Sequence, residues 1–415
     1  MVERLTSALG ALVMLALAFA FCPRERRRSV SPRTVGGGFA LLVLMAVLVL
    51  KTPVTRLFSA ANSAVESLLG FTREGARFVF GGLVSEPKTF GFIFAFQVLP
   101  TILFFSALMS LLYYLGVMPW IIERGGRLLA KTLRVSGAES FSTVADVFVG
   151  QTEAPLAIKP YLSRMTSSEL HACMVAGYAT TAGGVLAAYV AMLGPFVPGI
   201  AGHLIASSVM SAPASLVIAK LLLPETEEPE TTGELRVKLE RTSANSLDAI
   251  TQGTADGLRL AANVAAMLIV FLAFTALADA LLAGLGRLIG VSLGLERVLS
   301  LAFAPLAWLL GVPSADVAKI GSLLGQKTLF NEFIAYSHMA EMLNQDPTWL
   351  SERGRLIASY ALCGFANFGS VGIQIGGYAS LAPERRADLS RVALRAMFGG
   401  LLATCLVACV AGVLL

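Results

Sequence analysis

The chain has 415 residues, of which 56% are hydrophobic and only 14% are charged. Soluble domains carry about 25% charged residues, so this composition excludes a soluble globular protein and indicates an integral membrane protein. The long apolar runs favour membrane helices over barrel strands, whose alternating pattern is weaker. The net charge of +5 does not indicate a nucleic-acid-binding protein, because the Lys and Arg residues cluster between apolar runs, where they set membrane orientation.

The first third of the chain predicts three membrane-spanning helices, at about 4–22, 35–51 and 90–117. An Arg-rich loop follows the first of them and is expected to be cytoplasmic, which places the N terminus outside. Pro100 is expected to kink the third helix.

Three further segments mix charged and apolar residues in the manner of amphipathic helices. They cover about 58–84, 118–135 and 293–311. We expect all three to lie along the membrane interface rather than to cross the bilayer.

The stretch DVFVGQTEAPLAIKP, from Asp146 to Pro160, interrupts the apolar pattern with polar residues, a Gly and two Pro. Ionisable groups at membrane depth are costly and indicate function, and irregular backbone is tolerated there only inside protein or beside a wet cavity. Basic residues bracket the stretch at both ends. The pattern therefore predicts a re-entrant helical hairpin at about 138–162, entering from the cytoplasm. Spanning helices are predicted to follow at about 167–193 and 199–223.

The second half repeats this order after a polar cytoplasmic loop at 224–246 and a spanning helix at about 247–285. The stretch LGQKTLFNEFIAY lies in a second predicted hairpin, at about 314–346, that enters from outside. Spanning helices are predicted to follow at about 353–379 and 390–415, with an Arg-rich loop inside between them and the C terminus outside.

The predicted fold class is therefore an all-α integral membrane protein. It has eight transmembrane helices, two opposed re-entrant helical hairpins and three interfacial amphipathic helices. A hairpin followed by a helix rich in small residues occurs twice and enters from opposite faces. Such an inverted repeat is typical of alternating-access transporters, and two interrupted segments in corresponding positions point to the binding site.

The interrupted segments supply the candidate binding residues. Glu153 and Glu332 each lie beside a predicted helix break, where free backbone groups and a carboxylate can meet a ligand. Gln151 and Thr152 add an amide and a hydroxyl beside Glu153.

The helix at 353–379 adds Asn367 and Ser370, which are three residues apart and share one face. Phe365 and Phe368 nearby can stack on a flat ring. Amides, hydroxyls and carboxylates without a dense set of cations suit a neutral solute rich in hydrogen-bonding groups, whereas a phosphate or carboxylate substrate would favour Arg.

The sequence offers little support for an enzyme. Its three His residues form no metal-binding pair and no HExxH motif is present. The five Cys residues lie mostly in apolar runs without metal-like spacing, as small packing residues do.

Three motifs resemble the signature segments of the concentrative nucleoside transporter family, in the same order. They are VGQTEAPLAIKPYL, GQKTLFNEFIAY and SYALCGFANFGSVGIQIGG, and the likeness extends from about residue 90 to the C terminus. The resemblance implies a multi-pass homotrimer in the lipid bilayer of the plasma or bacterial inner membrane.

The resemblance also implies two kinds of domain. A scaffold would comprise mainly residues 1–135, together with the linker, helix and interfacial segment at 224–312. A transport domain that moves like an elevator would comprise the first half-unit at 136–223 and the second at 313–415.

The family's site residues match positions in both halves. The resemblance implies that Gln151, Thr152 and Glu153 face the nucleobase, partly through water, and that Val185 and Phe365 line the base pocket.

Glu332, Asn367 and Ser370 match the residues that hold the ribose hydroxyls in the family. This role is chemically reasonable, because a carboxylate accepts hydrogen bonds from vicinal hydroxyls and an amide both donates and accepts.

A sodium site in the family corresponds to Asp146, Val149, Thr180 and Thr181, with Val149 and Thr181 offering backbone carbonyls. The family usually has Asn where this chain has Asp146. A carboxylate is a suitable oxygen ligand for a hard cation, but a buried acid can equally carry a proton.

The sequence therefore predicts a cation-coupled symporter that imports nucleosides such as uridine, with sodium favoured over the proton as coupling ion. A membrane sensor or channel that uses the same pocket is the alternative of another class.

Overall fold

A computed structural model describes residues 1–52, 55–86, 93–231, 243–290 and 294–415. Within these residues the fold consists of helices and connecting loops, without a β-strand. The prediction of an all-α protein is therefore confirmed.

Eighteen α-helices are numbered in chain order over the described residues. They are α1 (Val2–Ala20), α2 (Pro32–Lys51), α3 (Thr55–Phe80), α4 (Gly82–Ser85), α5 (Phe94–Gln97), α6 (Leu99–Tyr114), α7 (Val117–Leu133), α8 (Gly137–Phe148), α9 (Ser167–Ala179), α10 (Gly183–Leu193), α11 (Ile200–Leu222), α12 (Ser246–Ile289), α13 (Leu295–Leu309), α14 (Ser314–Leu329), α15 (Glu332–Gln345), α16 (Glu352–Leu362), α17 (Phe368–Leu381) and α18 (Arg386–Leu414). Short 3₁₀ helices cover Arg24–Ser29, Ala154–Arg164 and Pro383–Arg385.

Seven helical stretches of the described chain are long and apolar enough to cross a membrane, or eight if the bent pair α13–α14 counts as one span. The seven correspond to every predicted span except the one at 353–379. The three predicted amphipathic segments fold as α3 with α4, as α7 and as α13; their position at the membrane interface stays a prediction.

The predicted span at 353–379 is two helices, not one. α16 ends at Leu362, and α17 begins after Asn367, whose side chain accepts a hydrogen bond from the Ser370 backbone N–H at 2.8 Å. Gly364 lies between them with φ 144°, a conformation that residues with a Cβ rarely adopt. This glycine and the Asn cap explain why the helix stops inside an apolar stretch.

The predicted span at 167–193 is also interrupted, between Ala179 and Gly183. The Thr180 hydroxyl donates to the Ala176 carbonyl at 2.9 Å. Hydroxyl groups that bond back to the preceding turn bend helices in this way.

Both polar stretches that predicted the hairpins contain helix breaks. In the first, α8 ends at Phe148 and Gly150 turns the chain at φ 91° before the 3₁₀ helix Ala154–Arg164. In the second, Asn331 separates α14 from α15 and caps α15 by accepting from the Ile334 N–H at 2.9 Å.

Parts of three predictions lie outside the described part of the chain. They are residues 90–92 of the third predicted span, 232–242 of the polar linker and 293 of the third amphipathic segment.

The third predicted span is interrupted too. The chain leaves the helix at Val98, and Pro100 then occupies the first turn of α6. The irregularity lies close to Pro100, because proline lacks the N–H that a helix interior needs; a kink of the span at this residue stays a prediction.

The C-terminal ends of the two interrupted segments lie at opposite ends of α18. Arg385, at the start of α18, donates to the carbonyls that close the first segment, at Ser163 (2.9 Å) and Met165 (2.7 Å). Arg353 follows the second segment and donates to the Gly412 carbonyl at 2.7 Å, near the end of α18. This arrangement agrees with the predicted entry from opposite faces; re-entry into a bilayer stays a prediction.

Candidate functional site

The two interrupted helices cross at their breaks. The Thr181 hydroxyl lies 3.4 Å from the Cys363 sulfur. A Cβ at Gly364 would lie only 2.9 Å from the carbonyl oxygens of Tyr178 and Ala179. The glycine is therefore needed both for its backbone angle and for the close approach of the α9 end.

The turns of the two predicted hairpins reach this crossing. A Cβ on Gly150 would lie 2.7 Å from the Cβ of Ala182, so the first turn contacts the break between α9 and α10. The second turn contacts α10 itself, because the Tyr189 hydroxyl donates to Glu332 Oε1 at 2.8 Å. Since Asn367 also donates to Glu332, four chain breaks lie close together.

Glu332 is a buried acid with two donors. The residue is 4% exposed, and its carboxylate accepts from Tyr189 and, on Oε2, from Asn367 Nδ2 at 3.1 Å. It is the first residue of α15, where the positive end of a helix stabilises a carboxylate. A carboxylate has about four lone-pair sites, so it can accept further bonds from ligand hydroxyls.

Gln151 joins the first turn to α17. Its Nε2 donates to the Ser370 hydroxyl at 3.2 Å, and its Oε1 accepts from Gln374 Nε2 at 3.0 Å. Gln374 also donates to the Met174 carbonyl at 3.1 Å. Since Asn367 caps the turn that carries Ser370, a continuous polar chain runs from Gln151 through Ser370 and Asn367 to Glu332.

The remaining predicted binding residues lie around this chain. Val185 is buried in the first turn of α10, and Phe365 is half-buried in the break before α17. Thr152 and Glu153 are exposed, and within the described residues their side chains do not belong to the polar chain. The sequence predicted all four positions, but it did not separate Val185 and Phe365, which are buried and half-buried, from the exposed pair Thr152 and Glu153.

Sequence reasoning missed Tyr189 and Gln374 as members of the site. A signal existed for Gln374, because it lies four residues after Ser370 on an apolar helix and is therefore on the same face. Tyr189 ends the small-residue motif at 179–189, but nothing local to that motif indicates that its hydroxyl meets an acid 143 residues away.

The predicted cation ligands lie at the facing breaks of the first half. Asp146 is fully buried, and neither of its carboxylate oxygens has a hydrogen-bond partner among the described residues. A Cβ on Gly177 would lie 3.3 Å from Asp146 Oδ1, so the acid contacts the last turn of α9. Thr180 and Thr181 are buried at the break that follows, and Val149 lies at the end of α8.

This arrangement suits a bound cation or a proton. A buried carboxylate without a donor is costly unless it is neutralised or paired. Oxygen ligands are those that a hard cation prefers. The residues present therefore fit either form of cation coupling.

Comparison with known families identifies three matching models along the chain. Residues 9–83 match the model for the Na⁺-dependent nucleoside transporter N-terminus, and residues 203–412 match the model for its C-terminus. Residues 95–196 match a model described as nucleoside recognition.

Similar proteins occur in bacteria and mammals. The chain is 42% identical to an uncharacterized transporter of Haemophilus influenzae, over 98% of this chain and 97% of that protein. It is also 42% identical to mouse solute carrier family 28 member 3, over 99% of this chain, and to rat sodium/nucleoside cotransporter 1 at the same identity and coverage. The chain spans only 59% and 64% of the length of these two mammalian proteins.

Solved structures of CNTnw have the same fold. The inward-facing substrate-bound state superposes with a TM-score of 0.92 at 41% identity, over 99% of this chain and 98% of that one. An outward-facing variant gives the same score and identity, over 100% and 98% of the two chains. Because these matches extend over nearly the whole chain at this identity, the protein belongs to the family of Na⁺-dependent, concentrative nucleoside transporters, which are transporters and not enzymes.

Proposed function

We propose that this protein is a sodium-coupled symporter that imports nucleosides such as uridine across the bacterial inner membrane. One observation carries the proposal: the buried polar chain from Gln151 to Glu332 lies where four chain breaks meet. Uncharged amides and hydroxyls with a single carboxylate suit a neutral solute that is rich in hydroxyl groups.

Glu332, Asn367 and Ser370 would bind the ribose hydroxyls, and Gln151 would bind the nucleobase. These side chains bond to one another in the described structure, so a nucleoside would exchange those bonds for its own with little net loss. Thr152 and Glu153 would reach the base partly through water, while Val185 and Phe365 would enclose its apolar faces.

Sodium would bind beside Asp146, with oxygen atoms from Val149, Thr180 and Thr181. A second candidate is proton coupling by the same acid. It rests on the observation that both Asp146 oxygens are buried without a donor in the described structure, where a proton or a sodium ion would each neutralise the carboxylate. A proton on Asp146 would remove the cost of burying the charge.

The proposed mechanism is an elevator movement of a transport domain against a scaffold. Burial supports this division: 83–89% of the apolar stretch is buried in α9–α10, α11 and α18, against 11–28% in α1, α2, α5–α6 and α12. The weakly buried helices are those assigned to the scaffold, and they would face lipid and the partner subunits of a homotrimer.

Uptake of uridine into proteoliposomes tests the proposal. We expect accumulation under an inward sodium gradient at symmetric pH, and none above background under an inward proton gradient without sodium. Accumulation with the proton gradient alone would instead assign proton coupling. Uridine flux that only equilibrates would indicate a channel, and binding without uptake would indicate a sensor.

A further inference from the structure

Lys327 is a fully buried lysine that has no role in the proposed binding of nucleoside or sodium. It lies in α14, two residues before that helix ends at Leu329. Its Nζ donates to the Ala361 carbonyl at 2.8 Å and to the Thr404 hydroxyl at 3.1 Å. Among the described residues it forms no ion pair with a carboxylate.

The burial of this charged lysine requires a physical explanation. Removing an ammonium from water costs several kcal/mol, and only close partners offset that cost. Ala361 lies in the last turn of α16, where unpaired carbonyls carry the negative end of the helix dipole. The ammonium therefore lies where a free cation would bind, at the carbonyl end of an interrupted helix.

The first half of the core has the same order of elements. An interrupted segment (α8 with Ala154–Arg164) precedes an interrupted helix (α9 and α10) and a long helix (α11). In the second half, α14 with α15 precedes α16 with α17, and then α18.

Corresponding positions in the two halves carry opposite charges. Asp146 lies two residues before the end of α8, as Lys327 does before the end of α14. Asp146 contacts Gly177 in the last turn of α9, and Lys327 contacts Ala361 in the last turn of α16. Asp146 has no hydrogen-bond donor in the described structure, whereas Lys327 has two hydrogen-bond acceptors.

We propose that the Lys327 ammonium acts as a tethered cation. In the second half of the core it occupies the position that corresponds to the site of the free coupling ion beside Asp146 in the first half. It would hold the end of α16 in position and thereby fix Asn367, five residues further on, against Glu332. Lys327 is then a positioning residue for nucleoside binding. The inference rests on the proposed cation coupling but not on which cation is coupled.

Replacing Lys327 tests this role in proteoliposomes that contain equal amounts of folded protein. We expect K327M to raise the KM for uridine by about tenfold or more, since hydrogen bonds to charged groups contribute more than neutral ones. The matched control is K319M, on the same helix, which also removes a lysine that donates to a carbonyl, that of Trp349. We expect K319M to keep the wild-type KM.

The cation dependence of K327A gives a readout that a purely structural role would not change. Truncation leaves the Ala361 carbonyl and the Thr404 hydroxyl without the ammonium, so a free sodium ion can replace it. We expect K327A uptake to depend more steeply on sodium than wild-type uptake does. Wild-type KM and sodium dependence in both Lys327 variants would overturn the proposal, as would uptake that falls only in proportion to folded protein.

T404V keeps the test decisive if the lysine variants do not fold. It removes one acceptor of the ammonium and changes the side-chain volume little. We expect a severalfold rise in KM for uridine, measured on equal amounts of folded protein, and an unchanged KM would contradict the proposal. Absence of uptake by the wild-type protein would instead refute the proposed function, so the two failures are distinguishable.

Discussion

Glu332 shows how one residue connects the two halves of the molecule. Its carboxylate accepts from Tyr189 of the first half and from Asn367 of the second. The sequence predicts a functional acid here because Glu332 follows a break in an apolar segment. It does not predict the two donors, because they are distant in the chain.

Replacing this carboxylate is expected to abolish nucleoside binding. E332Q keeps the shape of the side chain but removes its charge and replaces one carboxylate oxygen by an amide N–H₂, which then faces a donor. Losing charged hydrogen bonds costs about 1.5–3 kcal/mol each, or roughly 10- to 150-fold in affinity. We expect uridine uptake near background with normal protein yield, and E341Q, exposed on the same helix, is the control. Near-normal uptake by E332Q would remove Glu332 from the site.

Asp146 is the residue proposed to bind the coupling cation, and D146N separates the two candidate ions. An amide oxygen still binds sodium, and Asn is the residue usual at this position in the family that the chain resembles. Unlike the Asp carboxylate, the Asn amide cannot carry the coupling proton. We expect D146N to retain sodium-driven uptake; loss of uptake that leaves uridine binding intact would instead favour the proton carrier.

At the scale of elements, the helix breaks determine the site. The sequence identified two breaks from polar residues, at 149–153 and 330–331. It missed the breaks at 180–182 and 363–367, where small and hydroxyl residues keep the segment apolar. Hydropathy measures the cost of placing side chains in lipid, and it does not report where the backbone leaves the helix.

The crossing of the two breaks predicts a requirement for glycine at position 364. G364A places a Cβ 2.9 Å from two backbone carbonyls and forces an alanine to φ 144°. We expect the free energy of unfolding to fall by about 1–3 kcal/mol, measured as a lower melting temperature in detergent. We also expect uptake to be lost. In α17, G376A is the control, because a Cβ there has no atom within 4 Å. Equal stability of the two variants would contradict the close crossing.

At the scale of the whole molecule, both chain termini lie together. The Arg4 guanidinium donates to the Leu415 carbonyl at 2.7 Å, so the two ends belong to one side of the molecule. The Arg-rich loop at 24–29 lies at the other end of α1. The positive-inside rule predicts that this loop is cytoplasmic, and we therefore propose that both termini lie outside.

Cysteine labelling of intact cells tests this orientation. The five native cysteines are buried, so they give little background. We expect V2C to react with a membrane-impermeant maleimide and S29C to react only after the cells are permeabilised. Labelling of S29C in intact cells, with V2C labelled only after permeabilisation, would show that the orientation in the membrane is the reverse of the one proposed.

The sequence alone determined the membrane class, seven apolar spans and the two polar segments, at about 138–162 and 314–346, that are not among those spans. These properties depend on local composition, because each segment partitions into lipid largely by its own side chains. Only the tertiary structure decided that Tyr189 meets Glu332, that Gln374 meets Gln151 and that Lys327 meets Ala361 and Thr404. Such pairs depend on which helices pack together. Lipid is as apolar as the helix surfaces, so the hydrophobic pattern that locates each helix does not specify its neighbours.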